Sequence, residues 1–293
     1  MTPFRAVLAE ISPSLAGASG MPEVPPWLAV VFLGLLIAGL LADLYLFLGL
    51  LLRPVRWAVR EERVLRRPWN ISATARLALG LLAWYLVASV GASVWAARED
   101  HRTLALALQG MAFNLVGFGA VALTLRRRGL SWGGAFGFRL RTAWRDTGAG
   151  LVFYLSALPI LWFYALVYQT LLKASGYQAP WQEVVMAFAS ESSPWIRLLV
   201  VVLAVGVAPI FEEILFRGIA LPLLARRWGV APAVVAVSAF FAVIHLHVPS
   251  LVPLFIIAVS FSLGYLYTGS LLAPVVMHAL FNGVNLWILA GLK

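Results

Sequence analysis

The run Leu198–Ala225, LLVVVLAVGVAPIFEEILFRGIALPLLA, decides what kind of chain this is. Its flanks read as a membrane-spanning helix, yet its middle holds Glu212, Glu213 and Arg217, ionisable groups at the depth where ionisation costs most. The rest of the sequence agrees with a membrane reading: 62% of the 293 residues are hydrophobic, only 12% are charged, and the mean hydropathy is +0.92. A soluble globular domain carries roughly twice that share of charge. From Trp228 to Leu292 there is no Asp, Glu, Lys or Arg, so chemistry in that region rests on His, Asn, Ser, Thr and Tyr.

Working outward, apolar runs long enough to cross ~30 Å of hydrocarbon occur at 27–52, 77–97, 103–125, 148–172, 198–225, 230–247, 251–268 and 271–291. The fold class is therefore all-α, a polytopic membrane protein with about eight transmembrane helices. Breakers at Arg53-Pro54, at the polar cluster 98–102, at Val248-Pro249-Ser250 and at Thr268-Gly269-Ser270 set the boundaries. The expected organisation is an extramembrane segment 1–26 (a short surface helix and linker), four spans over 27–172, and a C-terminal four-helix core over 198–293.

The net charge of +10 does not indicate nucleic acid, because the arginines cluster in short segments between apolar runs. Sixteen Lys and Arg residues fall on one side of the predicted topology and six on the other, which puts the arginine-rich loops in the cytoplasm and both termini outside. Cysteine is absent, which excludes disulfides, thiolate metal sites and a cysteine nucleophile. Asn70-Ile71-Ser72 falls on the cytoplasmic side and reads as a helix cap rather than a glycosylation site.

Within the spans, Glu213 and Arg217 are four apart with the acid leading, the order that favours an intrahelical ion pair. Glu212 points about 100° away, so the adjacent carboxylates should serve different partners. His245 follows Phe241 by one turn, and its ring should lean on that aromatic face. His278 and Asn282, also four apart, form a polar stripe that Asn285 extends. His247 is expected at the interface. Together these residues supply a general base in Glu212, a second proton carrier or water-orienting group in His245, and neutral hydrogen-bond donors in His278 and Asn282. Straight parallel helices would hold the two histidines apart, so tilting, a shortened sixth span or a different span boundary is needed to bring them together.

Glu212-Glu213-x-x-x-Arg217, Phe241-x-x-x-His245 and His278-x-x-x-Asn282 resemble, in order, the three motifs of the CAAX prenyl protease and bacteriocin-processing (CPBP, Abi) family of intramembrane endopeptidases, the type II CAAX prenyl endopeptidases among them. The resemblance implies that Glu212 and His245 activate water, that His278 and Asn282 hold the oxyanion, and that Glu213, Arg217 and Phe241 support them. It leaves a zinc alternative with Glu212, His245 and His278 as ligands, but the His-Glu-x-x-His pair of membrane zinc proteases is absent, so no cofactor is expected. The implied partners are membrane lipid and a membrane-associated or prenylated peptide or protein. Two lysines against 20 arginines suggest a GC-rich genome and hence a prokaryotic inner membrane.

Other protease classes fit less well. Gly91-Ala92-Ser93 lacks a histidine on a following helix in the N-terminal half, His101 being expected in a loop, and Asp43 stands alone, expected to pair with an arginine or line the cavity. A non-proteolytic peptide-binding scaffold or transporter is the alternative from another class.

Overall fold

The computed structural model describes residues 26–52, 57–99, 102–177 and 183–291. Segment 1–25, the Arg53-Pro54 break and His101 lie outside them. Helices follow in the order α1 (Pro26–Leu52), α2 (Trp57–Leu65), α3 (Ile71–Glu99), α4 (Arg102–Arg127), α5 (Trp132–Phe136), α6 (Ala143–Ala174) and α7 (Glu183–Ser190). The composite helix α8 (Pro194–Trp228) comes next, then α9 (Val230–Val243), α10 (Leu251–Thr268) and α11 (Leu272–Gly291). Among the described residues, seven helices are long and apolar enough to span a membrane, and α9 is a shorter apolar helix. The chain is thus a multi-pass integral membrane protein.

Local chemistry sets the helix ends. Asn70 caps α3, its Oδ1 accepting from Ala73 N at 2.8 Å, as its sequence context suggests. Ser193 caps α8 in the same way, with Pro194 in the first turn. Helix α9 stops at Val243 rather than 247, and the chain leaves through Leu246 at φ 50° into a short 3₁₀ turn, Val248–Ser250. No glycine marks that stop in the sequence. The sixth span is thus shorter than 230–247, one of the adjustments expected from the positions of the two histidines.

Helix α6 packs against α1, α10 and α11, while α8 runs between α4 and α11. Close approaches depend on small residues. A Cβ on Gly39 would come within 2.7 Å of Leu155 O on α6, and beside it Asp43 accepts from Ser156 Oγ. Asp43 thus meets a serine, not an arginine, the first of its two expected settings. On α4, a Cβ at Gly117 would enter the ring of Phe211. Replacing Gly117 by Ala should therefore lower stability by about 1–3 kcal/mol through overpacking, read as earlier melting in detergent. Melting equal to the parent's would show that α4 gives way freely.

Arginines tie the ends of the helices together on the basic side. Arg67 donates to Tyr265 Oη, Gly134 O and Gly269 O, and Arg226 to the carbonyls of Leu65, Arg67 and Trp69. Arg128 donates to Pro68 O, and Arg60 to Tyr267 O, its guanidinium also lying over the Tyr267 ring. These cations satisfy carbonyls that have no helical donor, so they brace the fold as well as biasing its topology.

Candidate active site

Proline shapes the helix that carries the carboxylates. Helix α8 widens into π geometry at Val202–Val207 and again at Ile214–Ala220, each time just ahead of a proline, Pro209 or Pro222. A proline inside a helix has no N–H and clashes with the carbonyl four residues back; opening the preceding turn relieves the clash and leaves one carbonyl without its helical donor. Between the widened turns, Ala208–Glu213 presents the two glutamates.

Glu213 and Arg217 are fully buried and form the intrahelical pair expected from their spacing. One guanidinium nitrogen, Nη1, meets both carboxylate oxygens at 2.8 and 2.9 Å. The rest of the guanidinium reaches α10, with Nη2 donating to Ala258 O at 2.8 Å and Nε to Ser262 Oγ at 3.3 Å. The rings of Phe216, Phe241 and Phe261 stand 5.0–5.9 Å from it, so π faces surround the cation where solvent is excluded.

His278 is buried on α11, stacked on Phe261 and edge-on to Phe241. Its Nδ1 lies 2.9 Å from Glu213 Oε1. Because the carboxylate paired with Arg217 only accepts, Nδ1 carries the proton and Nε2 is the nitrogen left for chemistry. That Nε2 faces Glu212 Oε2 at 3.8 Å. One imidazole therefore bridges the two adjacent glutamates, which corrects the expectation that they address separate partners. Their surroundings still differ: Glu213 is sealed, whereas the Glu212 side chain is 29% exposed. Glu212 Oε2 itself is buried without a hydrogen-bond partner, so proton exchange at that oxygen breaks no existing bond.

His245 lies just beyond the end of α9, its ring 4.8 Å from that of Phe241, as its spacing predicts. Its Nδ1 is 2.7 Å from Phe241 O, a carbonyl in the last turn of α9. A carbonyl cannot donate, so Nδ1 holds the proton and Nε2 keeps its lone pair in the neutral ring. Phe241 thus has His245, His278 and Arg217 all around one phenyl ring.

Asn282, four residues after His278 on α11, donates from Nδ2 to Ala204 O at 2.7 Å. In the widened turn Ala208 N–H turns to Leu203 O, and Pro209 has no N–H, so Ala204 O lacks its helical donor. The amide of Asn282 fills that vacancy. Asn285 stands apart: it is exposed and donates to Phe281 O on its own helix. His247 bonds Ser250 Oγ within the α9–α10 connection, and Ser93 bonds Ser89 O.

The sequence reading missed Phe261 and Ser262, which stack on His278 and bond Arg217 from α10. That helix carries no charge and no histidine to draw notice. For zinc, Glu212, His245 and His278 are not arranged as a donor set: His278 turns one nitrogen to each glutamate, His245 bonds a carbonyl, and among the described residues no group of three or more His, Asp or Glu side chains is disposed to hold a metal ion.

Residues 193–284, which contain every residue of this site, match the family model described as type II CAAX prenyl endopeptidase, Rce1-like. No curated protein and no solved structure matches the chain.

Proposed function

We propose that this chain belongs to the Rce1-like type II CAAX prenyl endopeptidases, whose family model its residues 193–284 match, and that it hydrolyses a peptide bond in a membrane-associated or lipidated peptide or protein, in a prokaryotic inner membrane and without a metal. One observation carries the reading: a buried, unpartnered carboxylate oxygen of Glu212 faces the Nε2 of a histidine whose other nitrogen is fixed on the sealed Glu213–Arg217 pair.

In the proposed reaction a water is held between the Glu212 carboxylate and the lone pair of His245 Nε2. Glu212 takes one proton as the oxygen attacks the carbonyl carbon. His278, protonated at Nε2, and the second N–H of Asn282 donate to the oxygen that becomes negative. Glu213, held ionised against Arg217, stabilises the imidazolium through Nδ1–H. Glu212 then returns its proton to the amide nitrogen, the C–N bond breaks, and the remaining hydroxyl proton passes by way of His245 Nε2 to the departing amine, so that a carboxylate and an ammonium leave.

The test is comparative membrane proteomics with mapping of peptide termini, in cells carrying the intact gene or Glu212→Ala. A substrate should accumulate uncut in the second, and identical termini in both would refute the proposal. With that substrate in hand, cleavage should persist after exhaustive chelation; activity lost to chelator and regained only with zinc would mean that the donors rearrange around a metal.

A further inference from the structure

The turn that carries His245 is held from outside the family-matched segment. Helix α6 ends beside it, and two consecutive side chains reach across: Tyr168 Oη donates to Val248 O at 2.9 Å, and Gln169 Nε2 to Pro249 O at 3.1 Å. Between His245 and these anchored carbonyls lies Leu246 at φ 50°, the one non-glycine with positive φ among the described residues. A leucine there is strained, because its Cβ crowds the backbone, and such a conformation persists only where its surroundings hold it. Its side chain does no holding, being 90% exposed. The hold comes from the two anchored carbonyls and, within the turn, from His247 Nδ1 against Ser250 Oγ at 2.7 Å.

We infer that Tyr168 and Gln169 are positioning residues for His245: they keep the turn in the strained conformation that aims its ring. The inference rests on the proposed role of His245 in hydrolysis, but its geometric half stands apart from any activity. Without the anchors, Leu246 relaxes toward negative φ, the chain after α9 swings, and the Nδ1–H bond to Phe241 O is lost. The chain before the family-matched segment thereby takes part in the site through α6.

The test uses the full chain with ¹⁵N-labelled imidazoles. The sequence has four histidines, so His245 is assigned by comparison with His245→Ala. In the parent, His245 should give one tautomer, protonated at Nδ1. In Tyr168→Phe/Gln169→Leu it should give averaged tautomers, with kcat at least about tenfold lower, KM unchanged and melting close to the parent's. Adding Leu246→Gly should restore both the signal and most of the rate, because glycine holds positive φ without strain.

An unchanged His245 signal in the double variant overturns the inference. So does a loss of rate that follows a loss of melting temperature and is not rescued by glycine, since that marks mere destabilisation. If the His245 signal behaves as expected but His245→Ala cleaves as well as the parent, the positioning stands and the hydrolytic role of His245 fails.

Discussion

Glu212→Ala should insert and melt as the parent does and yet cleave its peptide at least 10²-fold more slowly, the range expected when a general base is removed. The separation of the two effects comes from what Glu212 lacks. It forms no hydrogen bond through its buried oxygen and stands 3.8 Å from His278 Nε2, beyond hydrogen-bond length, so truncation removes no strong contact. The measurement is kcat/KM in proteoliposomes beside melting in detergent. Full activity in the variant would end the assignment of Glu212 as base.

Glu213→Gln should do the reverse, lowering stability by about 3–5 kcal/mol, as when one member of a buried ion pair loses its charge. Arg217 is fully enclosed, and its remaining partners, Ala258 O, Ser262 Oγ and three aromatic faces, carry no formal charge. The same change weakens the contact that fixes His278 Nδ1, so the surviving folded protein should also turn over more slowly. This goes further than the structural support implied by sequence resemblance. Melting unchanged from the parent would mean that the pair contributes nothing net. Slow turnover that returns in full at low temperature, where the variant is folded, would confine Glu213 to stability.

Much of this was legible in the chain because it depends on short spacings. The interval of four fixes Glu213 on Arg217 and Phe241 on His245 in any helix-like backbone, and both pairs form. Hydrophobic length located the spans. What escaped depends on features that carry no periodic signal. Nothing apolar distinguishes Ile244-His245-Leu246-His247-Val248 from the helix before it, so the end of α9 is visible only in the backbone. The bond from Asn282 to Ala204 follows from a missing N–H at Pro209, 73 positions away in sequence, through a π turn that propensity does not specify. The serine partner of Asp43 likewise follows from the docking of α1 on α6, which no local pattern encodes.

Helix α9 has 14 residues, and at ~1.5 Å per residue it reaches only about 21 Å, well short of the ~30 Å of a typical hydrocarbon layer. Lipids bordering it must either dip toward its end or leave a dent that headgroups and water fill. Hydrolysis as proposed needs a supply of its second reactant, and a notch at the His245 end of α9 would give water a route to that ring past the longer neighbouring helices.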